Sequence, residues 1–236
     1  MIQRKESRCL LKYSIFLRKG GALLKVDFHV HTNYSFDATI KVHQLAERAR
    51  QFGIIPAITD HYSMKAIPAM EKQGTDFIPG EELRVTTPLG KADLIGLFLN
   101  EEIEKNIDFE EALDRIKEQG AISYAPHPFD SMRAGLQDES ILKKVQIIEV
   151  FNAHCLSRFD RQAEAFAKKE GRLSGAGSDA HFIFEFGQTY VELELDELEP
   201  SKLLKALKNG KIVGKRTSKA RRVMHRIGSK LLKPFI

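Results

Sequence analysis

Five of the chain's eight histidines fall in four short polar clusters, and each cluster stands at the end of an apolar run. The clusters are Asp27-x-His29-x-His31, Thr59-Asp60-His61, Pro126-His127-Pro128 and Ser178-Asp179-Ala180-His181. Glu81 and Glu149 close two further apolar runs, Phe77 to Gly80 and Val145 to Ile148. Polar residues at the C-terminal ends of several successive strands converge only where those strands close into a barrel and open into loops. The expected fold is therefore α/β, a β/α barrel with a multinuclear metal site at one end.

Hydrophobic period and punctuation fill in the order. Strands are predicted at Leu23 to Phe28, Ile54 to Ile58, Phe77 to Glu81, Ala121 to Ala125, Gln146 to Phe151, Leu173 to Gly177 and Val191 to Leu195. Leu83–Val85 and Asp93–Leu99 suggest a hairpin through Pro88-Leu89-Gly90. Helices are predicted at Val42 to Phe52, stopped by Gly53, and at Ala66 to Lys72, Phe109 to Gln119, Arg158 to Glu170 and Ser201 to Leu207.

The net charge of +5 conceals an asymmetry. Residues 201–236 carry twelve Lys or Arg and no acid, and residues 1–24 carry six against Glu6 alone. The intervening body, residues 25–200, holds 19 basic and 31 acidic residues, which suits the binding of cations. The expected organisation is a basic N-terminal extension (1–24), a barrel (25–200) and a basic, helical C-terminal segment (201–236). Cys9 and Cys155 are too few for a disulfide framework and read as reduced thiols of a cytoplasmic protein. No run reaches the length of a membrane span.

In an extended strand, residues two apart point the same way, so His29 and His31 can reach one ion. Asp27 shares their face and can orient a ligand histidine from behind. The same i, i+2 spacing returns at Asp179 and His181, after Gly175-Ala176-Gly177, whose glycines permit a close backbone approach. Asp60-His61 alone would equally suit a helix cap, and His127 between two prolines a structural turn. On the loop after His127, Arg133 offers a bidentate grip on phosphate and Ser131 one hydrogen bond, although an exposed arginine is as often simply solvated. His43 reads as a surface residue.

In combination the four clusters resemble the motifs of the polymerase and histidinol phosphatase (PHP) family, with Glu81 of Pro79-Gly80-Glu81 matching the glutamate after its third strand. The resemblance spans roughly residues 25–190. It implies a distorted (β/α)7 barrel holding two or three divalent ions, manganese, zinc or iron, and hydrolysis of phosphoesters. By the same resemblance His29, His31, Glu81 and Asp179 are ligands of a first metal, with Glu81 bridging to a second shared with His127. Asp60 lies near the cluster, and His61 and His181 help to hold a third ion with Asp37, which sits one residue later than in the family pattern. Where the family often has a histidine after strand five, this chain has Glu149-Val150-Phe151-Asn152. Glu149 either replaces that ligand or orients one.

A metal-bridging hydroxide would then attack phosphorus in line. Asp179 would be essential, and His61 or His181 would protonate the leaving oxygen. The expected partner is a small phosphorylated, nucleotide-like substrate such as a nucleoside bisphosphate or a short oligonucleotide. Ala220, Val223, Met224, Ile227 and Leu231 recur at helical spacing among basic residues. That pattern suits a terminal helix packed on the barrel, or else an amphipathic helix meeting nucleic acid or anionic membrane. The competing reading of the whole chain is a non-catalytic nucleic-acid-binding or regulatory protein on a retained barrel.

Overall fold

The computed structural model describes residues 22–218. The chain runs β1 (Ala22–Val30), α1 (Val42–Phe52), β2 (Ile54–Ile58), α2 (Ile67–Glu71), β3 (Ile78–Thr87), β4 (Gly90–Leu97) and β5 (Ile107–Asp108). It continues through α3 (Phe109–Glu118), β6 (Ile122–Ala125), α4 (Glu139–Leu142), β7 (Ile147–Asn152), α5 (Ser157–Lys169) and β8 (Leu173–Gly177). It ends in β9 (Thr189–Leu195), α6 (Pro200–Ala206), a 3-10 turn (Leu207–Asn209) and β10 (Lys211–Gly214). Gly53 stops α1 in the left-handed conformation, with φ 61°.

Seven strands make the barrel, in the order β1-β2-β3-β4-β6-β7-β8. Six of them are parallel, and β4 alone runs antiparallel to both of its neighbours. The six therefore deliver their C-terminal ends to one face. The sheet nearly closes where the chain leaving β8 returns to the end of β1. There the Asp179 amide donates to the His29 carbonyl at 2.8 Å and the His31 amide to the Ala180 carbonyl at 3.0 Å. β9 pairs antiparallel with the first half of β1, and β10 is the outer edge.

One apolar cluster draws on every barrel strand, including Val26, Phe28, Ile55, Ile78, Ile95, Ile122, Tyr124, Ile147 and Ala176, with Leu203 and Leu207 added from the α6 end. Two others lie between strands and helices: α1 and α2 cover β2 through Leu45, Ala49 and Met70, while α3 covers β3 and β6 through Ile116 and α5 covers β7 through Phe166. Among the described residues no helix is long and apolar enough to cross a membrane.

Three expectations change. Phe77 to Glu81 and Leu83–Val85 are one ten-residue strand, not two. The first strand begins at Ala22, so the barrel takes in the end of the expected extension. Past α6 the described chain, residues 207–218, leaves the α-helix after a 3-10 turn. It forms β10 and then a strap, in which Lys215 N donates to Gln188 O (3.1 Å) and Thr217 N to Ala153 O (2.9 Å). Arg216 locks the strap by an ion pair with Asp160 at 2.5 Å and a hydrogen bond to Cys155 O at 3.0 Å. The expected helix over Ala220 to Leu231 and residues 1–21 lie outside the described residues.

Candidate metal centre

At the C-terminal face, four side-chain atoms from three chain segments point at one another. His29 Nε2 lies 3.0 Å from His31 Nε2, and both are 3.4 Å from Glu82 Oε2. Asp179 Oδ1 is 3.6 Å from His29 Nε2 and 3.5 Å from His31 Nε2. A tetrahedral ion with ligands at about 2.0–2.1 Å has neighbouring ligands about 3.3 Å apart, so these separations are those of a ligand set. The register of β1 against β2 shifts between Asp27 and Val30, and past that shift His29 faces Glu82 and Glu149.

The glutamate of this set is Glu82, not Glu81. Neighbouring residues of a strand point to opposite faces. Glu82 shares the inward face of β3 with Ile78, whereas Glu81 shares the helix-covered face with Leu83 and Val85. There the Glu81 carboxylate accepts from the Ile103 amide at 3.0 Å. Reading the strand as finished at Glu81 hid this alternation.

Glu82 also spreads its two oxygens. Oε2 faces His61 Nδ1 at 3.1 Å as well as the first pair, and Oε1 faces His127 Nε2 at 3.3 Å. Asp93, on the antiparallel β4 and in no sequence motif, completes a second group with Glu82 and His127. A third group comprises His31, His61 and His181. Asp37 stands beside it, with Oδ2 3.6 Å from His61 Nε2 and Oδ1 3.5 Å from His181 Nε2.

Hydrogen bonds behind the cluster aim the lone pairs inward. Ser35 Oγ donates to Asp60 Oδ1 at 2.9 Å, so toward His31 Nδ1, 3.2 Å away, it can only accept. His31 therefore carries its proton on Nδ1 and turns the Nε2 lone pair to the cluster. His181 Nδ1 likewise donates to the Asp179 carbonyl at 2.9 Å. Glu149 Oε1 receives His29 Nδ1 at 3.2 Å and the Tyr124 hydroxyl at 2.9 Å, while Oε2 accepts the His127 amide at 2.7 Å. Of the two roles open to it, Glu149 takes the orienting one.

Asp60 also stands behind the cluster, accepting from Thr32 N (2.5 Å), Thr32 Oγ1 (2.6 Å) and Ser35. Asp27 holds backbone, not an imidazole: its Oδ1 accepts from Ser178 N at 2.9 Å and His29 N at 3.3 Å.

Asn152, at the end of the same strand as Glu149, joins these supports. Its Nδ2 donates to Glu149 Oε2 (2.9 Å) and Asp179 Oδ2 (3.0 Å), and its Oδ1 accepts from His154 N (2.9 Å) and Arg133 Nη1 (3.3 Å). Arg133 is thus inside the site, ion-paired with Asp179 Oδ2, while Ser131 is exposed on the same loop. Asp179 and His127 both hold positive φ, 52° and 32°, conformations that non-glycine residues adopt only where their surroundings impose them. His154 is buried, 3.3 Å from Glu185, and His43 is exposed as expected.

The electrostatics favour a cation. Burial works against charge on His29, yet the Asp179, Glu82 and Glu149 carboxylates outweigh it and hold the imidazole well above its ordinary value. Burial likewise opposes ionisation of Asp179 and Glu82, but Arg133 and His29 for the one, and His61 and His29 for the other, keep both well below the usual carboxylate range. Burial with His181 and His61 pushes His31 down to about 3. Asp179 Oδ1, Glu82 Oε1, Asp37 Oδ1 and His61 Nδ1 are buried with no hydrogen-bond partner. Imidazole and carboxylate donors in this number, with unpartnered atoms among them, fit divalent ions.

Comparison with known proteins agrees with this geometry. A family model described as the PHP domain matches residues 27–120, and one described as PHP-associated matches 158–212. An uncharacterized protein of Methanocaldococcus jannaschii is 38% identical over 199 residues, 78% of this chain and 79% of that protein. Among solved structures, a two-domain protein of Bacteroides vulgatus containing a predicted PHP-like metal-dependent phosphoesterase superposes with a TM-score of 0.65 at 17% identity, over 92% of this chain and 74% of that one. PsfC of Pseudomonas syringae superposes with a TM-score of 0.63 at 18% identity, over 89% and 99%. At such identities the structural likeness is one of fold.

Proposed function

The chain belongs to the PHP family, and from that membership we propose that it is a metal-dependent phosphoesterase acting on a small, nucleotide-like phosphate ester. The observation that carries the reading is the convergence of His29, His31, Glu82 and Asp179, with the second Glu82 oxygen turned to His127. His29, His31, Glu82 and Asp179 would hold one ion, Glu82, His127 and Asp93 a second, and His31, His61, His181 and Asp37 a third. Such shells suit manganese, zinc or iron. Bound divalent ions would supply Lewis acidity toward the phosphate oxygens and activation of water.

The protein's own groups do the rest. Asn152 and Arg133 fix Asp179 by Oδ2 and leave Oδ1 facing the histidines. Arg133 presents a guanidinium inside the cluster, where it neutralises a phosphate oxygen while still paired to Asp179. With no ion at the third group, burial disfavours a proton on His61, but Glu82 and Asp37 raise it to about 9, so it can protonate a leaving oxygen. The strap brings Thr217 to Ala153, next to Asn152, and six Lys and Arg follow in the sequence at 219–236. That basic continuation suits a substrate with more than one phosphate.

The test is phosphate release from monoesters, nucleoside bisphosphates and short oligonucleotides by protein loaded with manganese, zinc or iron, beside an Asp179→Ala control. Release that needs metal and disappears in the control is expected. Wild-type release by Asp179→Ala overturns the assignment. Absence of release from folded, metal-loaded protein also overturns it and leaves the polyanion-binding reading that the basic segment supports.

A further inference from the structure

Five large apolar side chains are exposed among the described residues, and three of them lie on loops that carry the site. Tyr34 (43% exposed) and Phe36 (37%) are on the loop after β1, and Met132 (56%) is on the loop after β6 beside Arg133. Phe36 lies against the His61 ring, centroids 5.1 Å apart and planes within 20°, and against Tyr62 at 6.2 Å and 24°. Beyond Tyr62, the exposed Lys105 places Nζ 5.7 Å from the ring centroid, and Arg84, itself tied to Asp93, stands at 6.0 Å. Aromatic rings thus step outward from the buried cluster to an exposed cation.

Tyr34, Phe36, Tyr62 and Met132 belong to none of the three apolar clusters that hold the barrel and its helices together. Their loop is nonetheless held in place, because Ser35 and Asp37 on either side of Phe36 contact His31, His61 and His181. Partly exposed aromatic side chains held beside the polar cluster offer apolar contact to whatever is esterified to a phosphate bound there.

We propose that Phe36, with Tyr34 and the Tyr62–Lys105 pair, is a stacking platform for the base of a nucleoside phosphate whose phosphate lies on the metal cluster. The proposal rests on the phosphoesterase reading. One sugar ring separates the base of a nucleotide from its phosphate, and one imidazole, that of His61, separates Phe36 from the cluster. Every base has a flat π face that stacks on an aromatic side chain whatever its sequence identity, and Lys105 meets a second phosphate. The platform therefore selects for the presence of a base and little among bases.

The chain contains no tryptophan, so Phe36→Trp installs a single fluorescent reporter at the platform. The metal-loaded full chain carrying it is titrated with adenosine 5′-monophosphate and with ribose 5-phosphate, which differ only in the base. Saturable quenching by the nucleotide alone is expected; no quenching, or equal quenching by both, overturns the proposal. In parallel, calorimetry compares wild type with Phe36→Leu. The variant is expected to bind the nucleotide roughly tenfold more weakly and to lose most of its preference over ribose 5-phosphate. Equal weakening toward both ligands assigns Phe36 to the support of His61 and also overturns the proposal. Base-selective binding without phosphate release from any ester would refute the phosphoesterase reading instead, and release without base selectivity would refute the platform alone.

Discussion

Replacing Glu82 by glutamine and, separately, Glu81 by glutamine sets two adjacent carboxylates of β3 against each other. Glu82 gives an oxygen to each of two groups, at 3.1–3.4 Å from His29, His31 and His61 and at 3.3 Å from His127. A residue that merely orients a metal ligand is worth about 10–100-fold in affinity. Loss of a shared ligand should exceed the upper figure at each site, about 2.7 kcal/mol per site. Glu81 differs in kind. Burial, helped by the charge of Glu102 and opposed by the Ile103 amide, lifts its carboxyl to about 8. Its folded value lies above its unfolded one, so the folded chain binds the extra proton between about pH 4.5 and 8 and wild-type stability falls as pH rises across that window. Glutamine removes the titration, worth up to about 4 kcal/mol at pH 8, and sets against it about 1–3 kcal/mol for amide hydrogens left without acceptors. Glu81→Gln should therefore be mildly destabilised at pH 5, stabilised at pH 8 and normal in metal content. Urea unfolding at the two pH values and elemental analysis of dialysed protein read all three. Full metal content in Glu82→Gln, or metal loss in Glu81→Gln, would refute the facing assigned to the two side chains.

Three further outcomes follow from the same structure. Arg216→Ala should cost about 2–3 kcal/mol at pH 8, because Asp160 is left charged and buried at the strap. Burial, with Arg216 opposing it, already raises Asp160 to about 6, so in the variant the acid takes its proton more readily and the loss measured by thermal unfolding should shrink below pH 6; a pH-independent loss contradicts the account. Gly177→Ala should destabilise by about 1–3 kcal/mol and lower metal content, since its Cβ would collide with His29 Cβ and Glu149 Oε1, and unchanged metal content counts against the close approach. Manganese at 100 times its dissociation constant should raise stability by about 2.7 kcal/mol per site, a Tm rise of several degrees in a chain of this size, and the rise should be smaller in Asp179→Ala by the share of the one site that Asp179 serves. An equal rise in that variant would place the ions elsewhere.

Much of this was legible in the sequence where local chemistry decides the outcome. The bounds of α1 and β2 follow from Gly53, which both ends the helix and lets the next strand begin. The i, i+2 histidines and the Asp179–His181 pair reveal themselves because a strand end has few other uses for them. Glu82 was not legible, because the apolar run before Gly80 suggested an end where the strand continues to Thr87. The available signal was the alternation of Leu83 and Val85 with Glu82 and Arg84, which puts Glu81 on the helix-covered face. Asp93 and Asn152 give no local signal at all. Asp93 enters by cross-strand pairing with Arg84 in the β3–β4 hairpin, and Asn152 by its distance to Asp179, a consequence of closure.

The division of labour within each side chain explains why the cluster tolerates its own composition. His29, His31 and His181 give Nδ1 to a carboxylate, a hydroxyl or a carbonyl, and Asp179 gives Oδ2 to Asn152 and Arg133. Each of these outward atoms is satisfied by a residue that the barrel fixes. The inward atoms Asp179 Oδ1, Glu82 Oε1, Asp37 Oδ1 and His61 Nδ1 have no hydrogen-bond partner, and a buried polar atom left so costs about 1–3 kcal/mol. Four such atoms represent a sum comparable to the whole net stability of a domain. A fold that keeps them must recover that free energy elsewhere, and cations bound among them recover it at the place where it is lost. The strained backbone of Asp179 and His127 adds to the same account. Positive φ at both residues holds the inward atoms where an ion would meet them, so the strain and the unpartnered atoms are two consequences of one preorganised site.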